Sequence, residues 1–169
     1  MHSLFRARGR AYVLDCLVYL GLAASTVPLG VVFQQQGWGH AKGLVLAVSA
    51  IPPVAATVLA GVQESGVRAA TFGKRLVHLE VFTATGDRVP LGRALLRNAV
   101  KIGIPWQLGH VVAIGSTFGG FERRDPATLA AAAVVYPLMV VMVVLAARGS
   151  GRALHDRLAG TQVRRAETA

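Results

Sequence analysis

Four long apolar stretches, at 12–33, 43–62, 99–118 and 127–147, alternate with more polar segments along the chain. A helix of about 20 apolar residues crosses a bilayer core about 30 Å thick, so each stretch is expected to span. The second and fourth carry no charge, the first holds Asp15, and the third holds Lys101, Gln107 and His110. The fold class expected is an all-α membrane protein: a four-transmembrane-helix bundle with small cytoplasmic β and helical elements, in one domain over 1–169. Every stretch contains proline, at Pro28, Pro52 and Pro53, Pro105 and Pro137. Each proline is expected to kink its helix, with neighbouring helices satisfying the freed carbonyl. The alternative is an interrupted helix that offers carbonyls to an ion or solute. Gly115 and Gly119 have the spacing of a close helix contact.

The polar segments carry patterns of their own. Val77, Leu79, Val81 and Thr83 alternate with His78, Glu80 and Phe82, which predicts a strand, and Thr85-Gly86-Asp87 predicts a turn. Residues 91–98 should form a helix that runs into the third span. On it Arg93, Arg97 and Lys101 recur every four residues as a basic stripe, whose long side chains are expected to snorkel toward anionic headgroups. Residues 153–158 should form a short helix ended by Gly160, and 161–164 a strand placed beside 77–83.

Composition narrows the class. Hydrophobic residues make up 53% and charged residues 15%, too apolar for an ordinary soluble domain, which carries roughly a quarter charged residues. The net charge of +10 would suit nucleic acid, but its distribution argues otherwise. Segments 1–11, 63–98 and 148–169 hold 14 of the 18 Lys and Arg residues, against three in the loops on the other side. Cytoplasmic loops retain Lys and Arg. Both termini, the loop 63–98 and the C-terminal segment 148–169 are therefore expected in the cytoplasm, in a multi-pass protein of the cell inner (plasma) membrane. The expected partners are anionic headgroups on that side and a second copy or another membrane protein, with no nucleic acid. Arg6, Arg8 and Arg10 before an apolar run, with Ala23-Ala24-Ser25 after it, resemble a signal peptide. The run continues to Phe33 and contains Asp15, so an uncleaved first span is expected.

The chemistry is sparse. One cysteine, Cys16, permits no disulfide within the chain, and the five histidines show no metal-ligand spacing, so no metal or cofactor is expected. Gly73-Lys74 resembles part of a phosphate loop but lacks the upstream glycine, and Arg75 stands where Ser or Thr is needed. No nucleophile accompanies His155-Asp156, and no enzyme activity is expected. Asp15 lies about one turn inside the first span, roughly 5 Å deep. A carboxylate at membrane depth costs about 2.5–3.5 kcal/mol unless it is paired or functional. Lys101 or Arg97 is expected to face it, while Asp156 is expected to cap a helix or, preferably, to pair with Lys74 or Arg75. His110, near mid-span, is expected to bond a neighbouring helix, with proton relay as the alternative.

Three blocks of sequence together resemble the RDD family of bacterial membrane proteins, named for an arginine and two aspartates. They are Arg10-Ala11-Tyr12 with Asp15; Thr71-Phe72-Gly73-Lys74-Arg75-Leu76 with Gly86, Arg97-Asn98 and Lys101; and Leu154-His155-Asp156-Arg157-Leu158-Ala159-Gly160-Thr161. The resemblance assigns the named residues to Arg10, Asp15 and Asp156 and covers nearly the whole chain. Phe72 departs from the family's usual proline, and His78-Leu79-Glu80 from its usual glycine and basic residue. The resemblance implies a multi-span cell-membrane protein, for which transport is the common suggestion. Two functions follow: small-solute or cation/proton transport with Asp15 in a polar intramembrane site, or a non-transporting scaffold or accessory subunit whose charged motifs are structural. The charge asymmetry predicts that a reporter fused at residue 122 reads outside and one at the C-terminus inside. A cytoplasmic reading at 122 contradicts four spans.

Overall fold

The computed structural model describes residues 2–166. The chain is mostly helical and runs α1 (Phe5–Ser25), α2 (Val27–Gln35), α3 (Lys42–Ser49), α4 (Ile51–Ser65), α5 (Phe72–Leu76), β1 (Leu79–Thr83), α6 (Leu91–Asn98), α7 (Ile104–Thr117), α8 (Pro126–Ala147), α9 (Leu154–Leu158) and β2 (Thr161–Arg165). A 3-10 turn, Trp38–His40, precedes α3, and a π-helical turn, Ala99–Gly103, joins α6 to α7. Three helical stretches are long and apolar enough to cross a membrane: Phe5–Gln35, Lys42–Ser65 and Pro126–Ala147. Their outer faces expose large apolar side chains such as Val13, Leu17, Val58, Val140 and Val143, as a lipid-facing surface requires. The third apolar window is helical from Ala99 to Thr117 but is not one of these three, because Lys101, Gln107 and His110 dilute it. The first helix begins at Phe5, seven residues before the apolar window does.

Three of the four proline sites stand at helix starts rather than at mid-helix kinks. Pro28 sits in the first turn of α2, Pro52 and Pro53 in that of α4, and Pro105 in that of α7 directly after the π turn. A first turn tolerates proline because its N–H would lack an intrahelical partner anyway. Only Pro137 lies inside a continuous helix. Near the α3–α4 break the Leu46 carbonyl accepts a bond of 3.4 Å from Gln107 Nε2, which uses one polar residue of the third window to join α7 to α3. The His110 Nε2 accepts from Trp106 Nε1 at 2.9 Å within α7.

At one end of the bundle Lys42 Nζ bonds Asp125 Oδ2 at 2.8 Å. Asp125 also caps α8 by accepting from Thr128 N and Oγ1, and the Lys42 bond, followed by the two from Thr128, holds its carboxyl down to about 2. Gly115 and Gly120 lie so close to the Thr128 side chain that a Cβ would stand 2.1 and 2.6 Å from its Oγ1. Gly119 instead adopts φ +70° in the turn that ends α7. The close approach of α7 and α8 therefore uses Gly115 with Gly120, and not the Gly115–Gly119 pair.

At the other end, β1 pairs antiparallel with β2, in register from Leu79 opposite Arg165 to Thr83 opposite Thr161. Leu79, Val81 and Val163 are buried against Ala11 of α1, Val89 and Ala94, forming a small core that fixes the sheet to the first helix. The strand begins at Leu79 rather than Val77, since His78 takes a left-handed φ of +53° that breaks the extension.

Candidate functional site

The end of the bundle that carries the sheet also holds a buried cluster of charge. Residues four apart on a helix lie on one face, and Ala11 and Asp15 turn the inner face of α1 toward α5. Gly73 opens α5 so close to α1 that a Cβ would stand 2.1 Å from the Ala11 carbonyl oxygen. Only glycine permits this approach, and it brings the Gly73 N–H to Asp15 Oδ1 at 2.7 Å. The Thr71 hydroxyl donates to Asp15 Oδ2, also at 2.7 Å. Asp15 is thus buried at 2% exposure with both oxygens engaged by neutral donors. Its hydrogen-bond partners are not Lys101 or Arg97, as its depth suggested; those cations line the same cavity without bonding it.

The centre of the cluster is Glu64, at the end of α4 and fully buried. Oε1 accepts from Lys74 Nζ and Arg97 Nη1, each at 2.6 Å. Oε2 accepts from Arg97 Nη1 and Asn98 Nδ2, each at 2.7 Å. Lys74 also reaches the Thr71 oxygen at 3.2 Å, which links Glu64 to the Asp15 site. Arg97 is 1% exposed and turns inward, so the basic stripe on α6 divides: Arg93 is exposed while Arg97 joins the cluster. From Arg97 the network continues to α9, where Nε donates to Asp156 Oδ1 at 3.0 Å.

Asp156 performs two tasks. Its Oδ2 accepts the backbone N–H of Ala153 at 3.1 Å, capping α9, and also pairs with Arg8 from α1. Arg8 in addition donates to the Gly151 carbonyl. Lys74 and Arg75 are not its partners, because Lys74 is committed to Glu64. Thr161 and Gly160 shape the exit from α9: Gly160 takes φ +63°, and the fully buried Thr161 hydroxyl lies 3.5 Å from the Asp156 carbonyl. His155 is buried beside Asp156, with Nε2 3.8 Å from Oδ2 and no partner for Nδ1 among the described residues. Burial opposes ionisation of Asp156, but Arg97 and Arg8 outweigh it and hold the carboxyl below the usual carboxylate range. Burial likewise opposes the charge on Arg97, and Glu64 and Asp156 overcome it to raise its pKa. Burial holds His155 well below the ordinary histidine value, so it is neutral.

Most of the residues singled out in the sequence meet here: Asp15, Thr71, Gly73, Lys74, Arg97, Asn98, His155, Asp156, Gly160 and Thr161. Lys101, on the π turn, joins them differently. Its ammonium stands 5.0 Å from the centre of the Tyr12 ring and forms no salt bridge among the described residues. Arg10 lies outside, exposed on α1, and Arg8 takes the arginine position in the cluster. The helical period carried that distinction: Arg8 is seven residues before Asp15 and shares its face, whereas Arg10 is five before and points away. Glu64 was not anticipated. The only signal for it is a carboxylate just past an uncharged span, a common enough feature of loops. Beside the cluster lies a cavity of about 220 Å³, into which Asp15, Lys74, Arg97, Lys101 and His155 all face. Among the described residues no group of three or more His, Cys, Asp or Glu is arranged to hold a metal ion.

A family model described as the RDD family matches residues 4–160, nearly the whole chain. No curated protein and no solved structure matches.

Two outcomes test the cluster. Removing one partner of a buried ion pair costs about 3–5 kcal/mol because the other charge stays buried. Glu64→Ala strands two cations and should reduce folded yield and melting temperature severely. Arg10→Ala, on an exposed side chain, should change stability by no more than about 0.5 kcal/mol. Equal melting curves for the two variants would contradict the assignment. The pH dependence has a definite sign. His155 has a depressed folded pKa, so its contribution is complete above its unfolded value of about 6.5 and is lost as pH falls below it. Asp156, also depressed, adds a second loss below about pH 4. Melting temperature in detergent should decline as pH falls below about 6.5. The first decline should shrink in His155→Gln, and a rise in stability between pH 7 and 5 would contradict this account.

Proposed function

The chain belongs to the RDD family, and we propose that this multi-pass membrane protein is a non-transporting scaffold or accessory subunit whose charged motifs close one end of its bundle. The observation that carries this reading is the full engagement of the buried carboxylates. Every carboxylate oxygen of Asp15, Glu64 and Asp156 accepts at least one hydrogen bond from outside its own helix, Asp156 Oδ2 from Arg8. An exchanger that loads its ion on Asp15 would have to break two bonds to Thr71 and Gly73, and those bonds hold α5 on α1. No catalytic step is assigned to the cluster, for the same reason.

The reading includes four spans in the inner (plasma) membrane with both termini cytoplasmic. In its support, the five residues of the π turn and the fourteen of α7 reach ~28 Å at 1.5 Å per residue, close to a bilayer core. The Lys42–Asp125 pair and the charge cluster then mark opposite faces. The excess of Lys and Arg on the side of the cluster makes that side cytoplasmic. A scaffold of this shape presents its sheet and α9 to a protein partner or to a second copy.

Transport is the second reading, favoured by one observation: Asp15 and Lys101 line the same cavity. Ion flux in proteoliposomes separates the two. The scaffold reading expects no flux above empty liposomes under sodium, potassium or proton gradients. Flux in the native protein that disappears in Asp15→Asn would overturn it.

A further inference from the structure

The cluster is unequal in its side chains: four basic residues, Arg8, Lys74, Arg97 and Lys101, face three carboxylates, Asp15, Glu64 and Asp156. The surplus basic residue is Lys101. Arg8, Lys74 and Arg97 each have a carboxylate partner, whereas among the described residues Lys101 meets the face of the Tyr12 ring and no carboxylate. It stands on the π turn, an irregularity that re-aims side chains and recurs at functional positions. A lysine at this depth without a carboxylate is costly to charge, and an intramembrane ionisable residue of this kind marks a candidate functional site, which an anion would complete. The cavity of about 220 Å³ lies against it, and His155, buried with its Nδ1 unpartnered, lines the same space.

The remaining walls say what kind of anion fits. Opposite the cations the cavity is lined by Phe5 of α1 and by Met142, Val143 and Ala146 of α8. A small hydrated anion would leave that wall against water. Tyr12 and Met139 border the cavity and also a second, apolar groove of about 730 Å³ between α1, α7 and α8. Leu20, Val112 and Val135 line that groove deeper along the helices. The cationic chamber lies between the first turns of α1 and the last turns of α8, which is headgroup depth in a spanning helix, and the groove runs from it toward the hydrocarbon.

We propose that this chain holds one anionic phospholipid of the surrounding bilayer, with its phosphate beside Lys101 and His155 and an acyl chain in the groove between α1, α7 and α8. The lipid neutralises the surplus charge and fills the apolar wall in one step. This goes beyond general attraction of exposed Lys and Arg to anionic membranes, because the phosphate is received inside the bundle. It stands whether or not the protein carries an ion.

The test uses the purified full-length chain in detergent, after delipidation, titrated separately with phosphatidylglycerol, phosphatidylcholine and inorganic phosphate. Native mass spectrometry counts retained lipid, and the melting temperature reports binding. One phosphatidylglycerol per chain should be retained and should raise the melting temperature, while the other two have little effect. Lys101→Met should weaken phosphatidylglycerol binding about tenfold or more, a difference of about 1.4 kcal/mol. Val143→Trp keeps the charge but fills the chamber from the lipid face, and should weaken binding similarly. Exposed Arg10→Met should leave it unchanged. Equal stabilisation by phosphatidylcholine overturns the proposal, as does inorganic phosphate reproducing the whole shift. Undiminished binding in a folded Lys101→Met or Val143→Trp overturns it too, and if one variant fails to fold the other decides.

Discussion

One buried carboxylate, Glu64, holds the charged end of this protein together. It receives Lys74 from α5, and Arg97 and Asn98 from α6, while itself ending α4. Three segments distant in sequence therefore meet on a single group. Desolvating a carboxylate and two cations is expensive, and the mutual attraction offsets the cost only with close geometry and all lone pairs used. Both conditions hold here, with bonds of 2.6–2.7 Å to both oxygens. A well-packed apolar replacement would stabilise equally well in principle. What the ionic version adds is discrimination, because any slip of α6 against α4 leaves a charge unpaired.

Asp15 and Asp156 extend the same logic to the two ends of the chain. Asp15 fixes α5 to α1 through one hydroxyl and one backbone N–H, and the absence of a side chain on Gly73 makes the approach feasible. Asp156 ties α9 to Arg97 and Arg8, so the C-terminal segment closes over the cluster. The small sheet follows from this. With α1, α6 and α9 positioned, β2 meets β1, and a two-strand ribbon too small to be stable alone gains a core with Ala11, Val89 and Ala94. The charged motif residues singled out in the sequence are the joints that hold these elements together. Lys101 is the exception, an unpaired cation beside a cavity.

Much of this was legible in the sequence, and the unreadable parts have identifiable causes. The apolar windows, the alternation at 77–83, the helix at 91–98 and the turn at Gly86 rest on local periodicity, which one chain displays unaided. The pairing of charges does not. Several cations were at hand for Asp15 and Asp156, and only three-dimensional proximity chose among them. Neutral donors won at Asp15 because Gly73 admits the backbone more closely than any long cationic side chain could pack. Arg10 and Arg8 differ by two positions, and the period of α1 alone separates them.

By itself the sequence determined the membrane class, the apolar helices, the family and most of the motif residues that meet in the cluster, because each depends on composition or on short-range spacing. Only the tertiary structure decided that Glu64 is the hub, that Arg8 replaces Arg10, that three of the four proline sites open helices, and that Lys101 has no carboxylate partner among the described residues. Those facts are relations between elements far apart in the chain. Their free energy comes from desolvation and close contact, which exist only once the elements have met.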